Sequence, residues 1–252
     1  ERIEQIFANL ERWKWYPFNL GEEYLIANIP EYMLNYVTNN DTVAKYRIVV
    51  GTKKRKTPIL TSKLSNFVFN PTWTIPPTII KEDLTPAASK NRNYFPSRSL
   101  TIYNNKGTEV SPEEWNPAKA NSYRYVQKPG HTNSLGLVKL NFLNRHSVYL
   151  HDTNHRDYFA KTYRSLSSGC VRVENPLVLV KQILVKSNPE KWSGSEIDSI
   201  LKLEKTKTIS VKNTVNVYIF YWTSWFDNNQ LQFREDIYDL DKGLFEKLKN
   251  ST

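Results

Sequence analysis

Residues 147–153 read Ser-Val-Tyr-Leu-His-Asp-Thr, and residues 167–172 read Ser-Ser-Gly-Cys-Val-Arg. Ser147–Leu150 has strand patterning, so His151 falls at the C-terminal end of a strand, where a scaffold holds a side chain in place. Cys170 follows a Ser-Ser-Gly turn and precedes a helix signal, Asn175-Pro176, read as an N-cap with Pro at the first helical position. A thiol becomes a nucleophile when it ionises, and a neighbouring imidazole can accept its proton. Gly169 lets the backbone N–H groups around the thiol turn toward a developing oxyanion. Spacing alone leaves the plainer alternative open: a small inert core thiol and a hydrogen-bonded histidine.

Outward from this stretch, strands dominate. Tyr24–Ile29, Tyr32–Val37, Tyr46–Val50, Val68-Phe69, Trp73–Ile75, Leu135–Phe142, Val215–Trp222 and Leu231–Phe233 all carry strand composition. The last two are expected to pair as a hairpin across Asp227-Asn228-Asn229. Helices are few: an amphipathic opening helix through Ile3, Ile6, Phe7 and Leu10, and two more over Leu177–Lys186 and Ser193–Lys205. The expected fold is mainly β, a sandwich-like or barrel-like core with peripheral helices. Between residues 77 and 124 the texture changes to prolines and polar residues around one apolar stretch, Leu100–Tyr103. A segment of that kind inside a compact domain reads as a functional insertion such as a cap.

Composition narrows the function classes. Hydrophobic residues at 39% and charged residues at 24% make the chain globular. The net charge of +10 attracts polyanions in general. Its densest run, Lys53-Lys54-Arg55-Lys56, reads as a solvated loop between strands, and no zinc-finger, RNP or helix-turn-helix signature accompanies it, so nucleic acid is not an expected partner. One cysteine excludes an intramolecular disulfide. His151 and His155 stand four apart, but the zinc-binding pattern requires Glu after the first His and Asp152 is there, so no metal site is expected. No phosphate-cradling glycine loop is present, and no cofactor is implied. No apolar run is long enough to span a membrane. The chain starts at Glu1 without an initiator Met or a basic-then-apolar leader, the expectation being a processed form or a catalytic fragment.

His-Asp-Thr followed by Ser-Ser-Gly-Cys-Val-Arg resembles the signature of the YkuD-type L,D-transpeptidases: a histidine near a strand end, a gap of under twenty residues, then Ser/Thr-x-Gly-Cys-hydrophobic-Arg/Asn. Many members carry His between the motif Ser and Gly; here Ser168 stands there, as in the large periplasmic class of Gram-negative bacteria (YcbB-like). Glu11-Arg-Trp-Lys-Trp, Val49-Val-Gly-Thr with the following Lys-Thr-Pro, Asn70-Pro-Thr-Trp-Thr-Ile-Pro-Pro, Pro129-Gly with Asn133-Ser-Leu-Gly136, Val215–Tyr218 and Asp236-Ile-Tyr extend the likeness to that class over nearly the whole chain.

The resemblance implies a β-rich catalytic region over residues 1–252 with a cap inserted before the catalytic strands, matched in position by residues 77–124. It also implies a periplasmic enzyme acting on peptidoglycan stem peptides, donor and acceptor, and acylated by carbapenem β-lactams. Cys170 would form a thioester with a tetrapeptide stem and release D-Ala, with His151 as the base, oriented by a backbone carbonyl. Gly169 and Cys170 N–H groups are oxyanion-hole candidates. Tyr149 shares a strand face with His151 and either donates to that hole or packs as a core tyrosine. Arg172 shares the Cys170 side and either receives a stem carboxylate or makes a structural ion pair. Asn133, Ser134 and Trp73 are candidate substrate contacts. Transfer to water or to a lipoprotein lysine would use the same acyl-enzyme. A binding module that had lost its chemistry is the reading from another class.

Overall fold

The computed structural model describes residues 2–250. Its strands, in chain order, begin with β1 (Glu23–Asn28), β2 (Met33–Thr38), β3 (Asp41–Gly51) and β4 (Leu60–Phe69). Next come β5 (Trp73–Thr74), β6 (Leu100–Tyr103), β7 (Glu109–Val110) and β8 (Arg124–Gln127). Then follow β9 (Val138–Phe142), β10 (Leu150–His151), β11 (Ser165–Ser167), β12 (Val171–Val173), β13 (Lys207–Ser210) and β14 (Asn216–Phe220), and last β15 (Ser224–Asp227) and β16 (Gln230–Phe233).

The main sheet runs β2-β1-β14-β4-β9-β10-β12-β3, and β3 also pairs with β2, so the path closes into a barrel. Two long strands make the closure possible. The first part of β3 pairs with β2 and its end with β12 and β11; the first part of β4 pairs with β14 and the remainder with β9 and β13. A register shift between Leu64 and Asn66 lets β4 turn that corner. The fold is therefore mainly β, as the sequence led us to expect. No helix among the described residues is long and apolar enough to cross a membrane.

The barrel interior follows the strand period. On β9, Val138, Leu140 and Phe142 are buried while Lys139 and Asn141 between them are half-buried on the other face. On the neighbouring strands Leu150, Val171 and Val173 are wholly buried in the same core. The helix Pro176–Ser187 adds Leu179, Val180, Ile183 and Leu184 to it, each burial stabilising by about 1.5–3 kcal/mol. That helix packs one face on the barrel and leaves Val178 and Val185 exposed on the other, as expected of one of the few helices flanking a mainly β core. Pro176 does open it, but Asn175 sits in the left-handed region and makes no side-chain cap.

Residues 73–127 build a second, smaller body. β5, β8, β6 and β7 form their own four-stranded sheet, and Ile80, Leu84, Phe95, Ile102, Trp115 and Tyr125 form a separate hydrophobic cluster. Its two ends are the strand pair Trp73↔Gln127 and Thr74↔Val126, a few residues outside the 77–124 boundaries drawn from composition. Two other expectations shift. The hairpin lies between β15 and β16, with Asn228 and Asn229 both at positive φ as a two-residue turn demands, whereas β14 enters the barrel between β1 and β4. The strand expected over Ser147–Leu150 shrinks to β10, because Ser147 takes φ of 54° and the Asn144 side chain accepts from the N–H groups of His146 and Val148 in a turn.

Candidate active site

β10 and β12 run parallel, with Leu150 opposite Val171 and His151 opposite Arg172. The Val171 N–H donates to the Tyr149 carbonyl at 3.1 Å, which carries the alignment back to Cys170 beside Tyr149. Since side chains alternate, Leu150 and Val171 point into the core, while Tyr149, His151, Cys170 and Arg172 leave from the opposite face. All four line one cleft of about 540 Å³. Its other walls come from the β3–β4 loop (Arg55, Lys56, Pro58) and the smaller body (Trp73, Pro76, Thr78, Ile79). Cys170 and His151 are diagonal neighbours across the strand pair, about 7–8 Å apart at the backbone, a span two side chains bridge.

The imidazole is buried, and its Nδ1 lies 2.5 Å from the Asp152 carbonyl oxygen. A carbonyl only accepts, so Nδ1 carries the hydrogen and Nε2 holds the lone pair of a base. The Asp152 carboxylate points the other way, accepting from the Leu137 N–H at 2.9 Å and pairing with Arg156. Burial, reinforced by the charge of Arg172, pushes the His151 pKa down to about 3, the Asp152 bond only partly opposing. Burial likewise pushes the Cys170 thiol up, against opposing help from the Tyr149 N–H and hydroxyl and from the Lys139 and Arg172 charges. Burial therefore favours the neutral form of both groups.

Tyr149 lines the cleft beside Cys170 and His151. Burial, ahead of the nearby Cys170 thiol, raises its pKa, and the Trp73 indole opposes the rise. Its ring packs edge-on to His151, with centroids 5.4 Å apart. Lys139, opposite His151 on β9, holds its ammonium 3.9 Å from the centre of the Tyr149 ring. Nothing in the sequence singled it out; only the register of β9 could have. Arg172 is largely buried, with its pKa lowered chiefly by that burial, and its Nε and Nη1 find no hydrogen-bond partner among the described residues.

Three expectations change. The Gly169 N–H, expected to face the cleft, instead donates to Ser167 Oγ at 3.1 Å and is engaged within its own loop. Gly169 still needs to be glycine, at φ of 118°. Asn133 is buried and fully engaged: Nδ2 donates to the Pro71 and Lys128 carbonyls at 2.9 Å each, and Oδ1 accepts from the Leu135 N–H. It shapes the loop and does not line the cleft, whereas Ser134 and Trp73 do. Third, Arg55 is no free member of a solvated run. Its guanidinium pairs with Glu82 and Asp83 of the smaller body and donates to Ser168 Oγ at 2.9 Å.

Comparison with known proteins identifies the family. Residues 22–201 match the family model of the YkuD L,D-transpeptidase catalytic domain. The chain belongs to that family. It is 33% identical over 245 residues to a Haemophilus influenzae protein that carries an L,D-transpeptidase name, a match covering 96% of this chain and 49% of that protein. The chain thus spans about half the length of the curated relative it matches. Among solved structures it is similar to an L,D-transpeptidase from Mycobacterium smegmatis (12% identity, TM-score 0.36, covering 79% of this chain and 58% of that one). The Ldtfm–avibactam carbamoyl enzyme gives the same identity and TM-score, over 79% and 49%. An L,D-transpeptidase in complex with imipenem gives 11% and 0.36, over 79% and 59%.

Proposed function

We propose that this chain is the catalytic region of a peptidoglycan L,D-transpeptidase of the YcbB-like class, working in the periplasm with Cys170 as nucleophile. The observation that carries the reading is the single strand face from which Cys170, His151, Tyr149 and Arg172 enter one cleft. As Sγ adds to the carbonyl between the L-centre of diaminopimelate and the terminal D-Ala, Nε2 of His151 takes the thiol proton. The Cys170 N–H and the Tyr149 hydroxyl face the oxyanion. The C–N bond then breaks, the imidazolium proton passes to the departing D-Ala nitrogen, and a thioester remains.

The amine of a second stem, losing a proton to His151, attacks the thioester; the C–S bond breaks and the proton returns to sulfur. The product joins the third residues of two stems. Arg172 receives a stem carboxylate, which supplies the partner its buried guanidinium lacks. The smaller body acts as a cap over the cleft and excludes water, which would otherwise hydrolyse the thioester.

Intact-protein mass after incubation with a carbapenem tests this. We expect one adduct on the native chain, none on Cys170→Ala, and loss of D-Ala release from a tetrapeptide stem in that variant, with its melting temperature nearly unchanged. Native-rate D-Ala release by Cys170→Ala would sink the assignment. D-Ala released without cross-linked product would redirect the acyl group to water.

A further inference from the structure

Thr57 lies outside the strand pair that carries the thiol, in the loop between β3 and β4, and it is buried. Its hydroxyl has one hydrogen to give and gives it to the Gly169 carbonyl at 2.9 Å. The same oxygen accepts from the Gly51 N–H at 2.8 Å. The Thr57 N–H is in turn held by the Tyr238 hydroxyl at 3.1 Å, and that hydroxyl donates to the Gly51 carbonyl at 2.6 Å. Gly51 can only be glycine here: a Cβ would collide with the Arg55 carbonyl and the Thr57 nitrogen and press on the Gly169 Cα. Three chain segments therefore meet at a buried, fully paired knot whose outermost acceptor is the Gly169 carbonyl.

The geometry points to Thr57 as a positioning residue that aims the Cys170 N–H into the oxyanion hole, an inference that rests on the acyl-transfer reading above. Gly169 C=O and Cys170 N–H belong to one planar trans peptide, so they point in opposite directions. Fixing the carbonyl inward on Thr57 fixes the N–H outward, on the side of the cleft that Gly169 and Cys170 line. That N–H has no acceptor among the described residues, whereas the Gly169 N–H is consumed by Ser167. The hole is thus reduced to one main-chain donor in this loop, and its direction depends on one hydroxyl. Ser167 Oγ holds the flanks of this peptide, accepting from the Gly169 N–H and donating to the Cys170 carbonyl at 2.6 Å, but Thr57 is the side chain that grips the peptide's own carbonyl and so sets its tilt after a glycine at positive φ.

The test separates a reaction that develops an oxyanion from one that does not. Carbapenem acylation of Cys170 builds a tetrahedral oxyanion; alkylation by iodoacetamide displaces iodide at the same sulfur and builds none. Thr57→Val keeps the shape and removes the hydroxyl. We expect its acylation rate constant to fall by roughly 10- to 100-fold, with half-saturation little changed, while alkylation stays within about twofold. Thr57→Ser, which restores the hydroxyl, should recover most of the loss. Because Val leaves the buried Gly51 N–H unpaired, Thr57→Ala, with room for a water there, is measured beside it and read the same way should the Val protein not fold. Equal losses in both reactions, no loss in acylation, or failure of Ser to rescue would each overturn the assignment of Thr57 alone. A native chain that carbapenem does not acylate would overturn it together with the transpeptidase reading.

Discussion

Two arginines in this molecule are withdrawn from solvent, and they are treated in opposite ways. Arg12, 2% exposed, is enclosed by acceptors: Nη1 donates to Asp241 at 2.5 Å and to Asn9 at 3.4 Å, and its guanidinium lies 5.0 Å from the Tyr221 ring centre. Thr223 closes the circle, donating to Asp241 and Asn9 and accepting from Asn9. The pair pins the first helix, Arg2–Trp13, to the last one, Asp241–Lys249. Arg172 has no such circle. It faces the Tyr158 ring at 5.6 Å and leaves Nε and Nη1 unpaired on the cleft side of β12. A buried cation with its partner built in contributes to holding the fold together; one without a partner weakens the fold and favours an anion from outside.

The comparison breaks or holds on two substitutions. Arg12→Ala leaves Asp241 buried and uncompensated and should cost about 3–5 kcal/mol of stability by denaturant unfolding, while the folded fraction acylates at the native rate. Arg172→Met keeps the volume and removes the charge. It should lower kcat/KM for a tetrapeptide stem by about two orders of magnitude, while the melting temperature holds or rises. A melting temperature that drops as far as that of Arg12→Ala would mean that Arg172 is a structural cation, the alternative its sequence position left open.

The same contrast marks how far the sequence could be read. The alternation that buries Leu150, Val171 and Val173 also sets Tyr149, His151, Cys170 and Arg172 on one face, and it is visible in the two quoted runs. That a main-chain carbonyl orients His151 followed from the family resemblance, but which carbonyl it is, that of Asp152, is seen only in the fold. What escaped depends on partners distant in sequence. Whether Arg172 is satisfied depends on what the rest of the fold fails to place beside it. Arg55 looked solvated because Glu82, Asp83 and Ser168 lie 27, 28 and 113 positions away. The Gly169 N–H looked available because nothing in a Ser-Ser-Gly run reveals that the Ser167 hydroxyl turns back onto it. β14 was paired with the wrong neighbour because strand composition does not encode which edge a strand fills.

A smaller effect concerns a half-buried cation, Lys139, whose pKa burial lowers and the thiol beside it raises in part. Its ammonium sits over Tyr149, next to the sulfur, and favours the thiolate. With the thiol held above its ordinary value, the logarithm of the iodoacetamide rate should climb about one unit per pH unit from pH 6 to 8 without an inflection. Lys139→Met should move the whole line down several-fold and leave its slope alone. An inflection below pH 7 in the native protein would mean a preformed thiolate–imidazolium pair, contrary to the depressed His151.

The smallest effect on stability, and the one that most sharpens the contrast between closed and open pairings, belongs to Arg55. Its ion pairs with Glu82 and Asp83 are on the surface, so Arg55→Gln should change stability by no more than about 1 kcal/mol. Yet this side chain joins the smaller body to Ser168, two residues before Cys170. Loosening the joint should slow acylation a few-fold. Salt does the same to the native protein, because at about 1 M the screening length falls to about 3 Å and an exposed pair loses most of its attraction. We therefore expect native acylation to decline with salt toward the rate of Arg55→Gln, and the variant's rate to stay nearly flat. A variant that retains the full salt response would place the sensitive charges elsewhere in the cleft, at Lys56 or Arg172, and leave Arg55 as an ordinary surface pair.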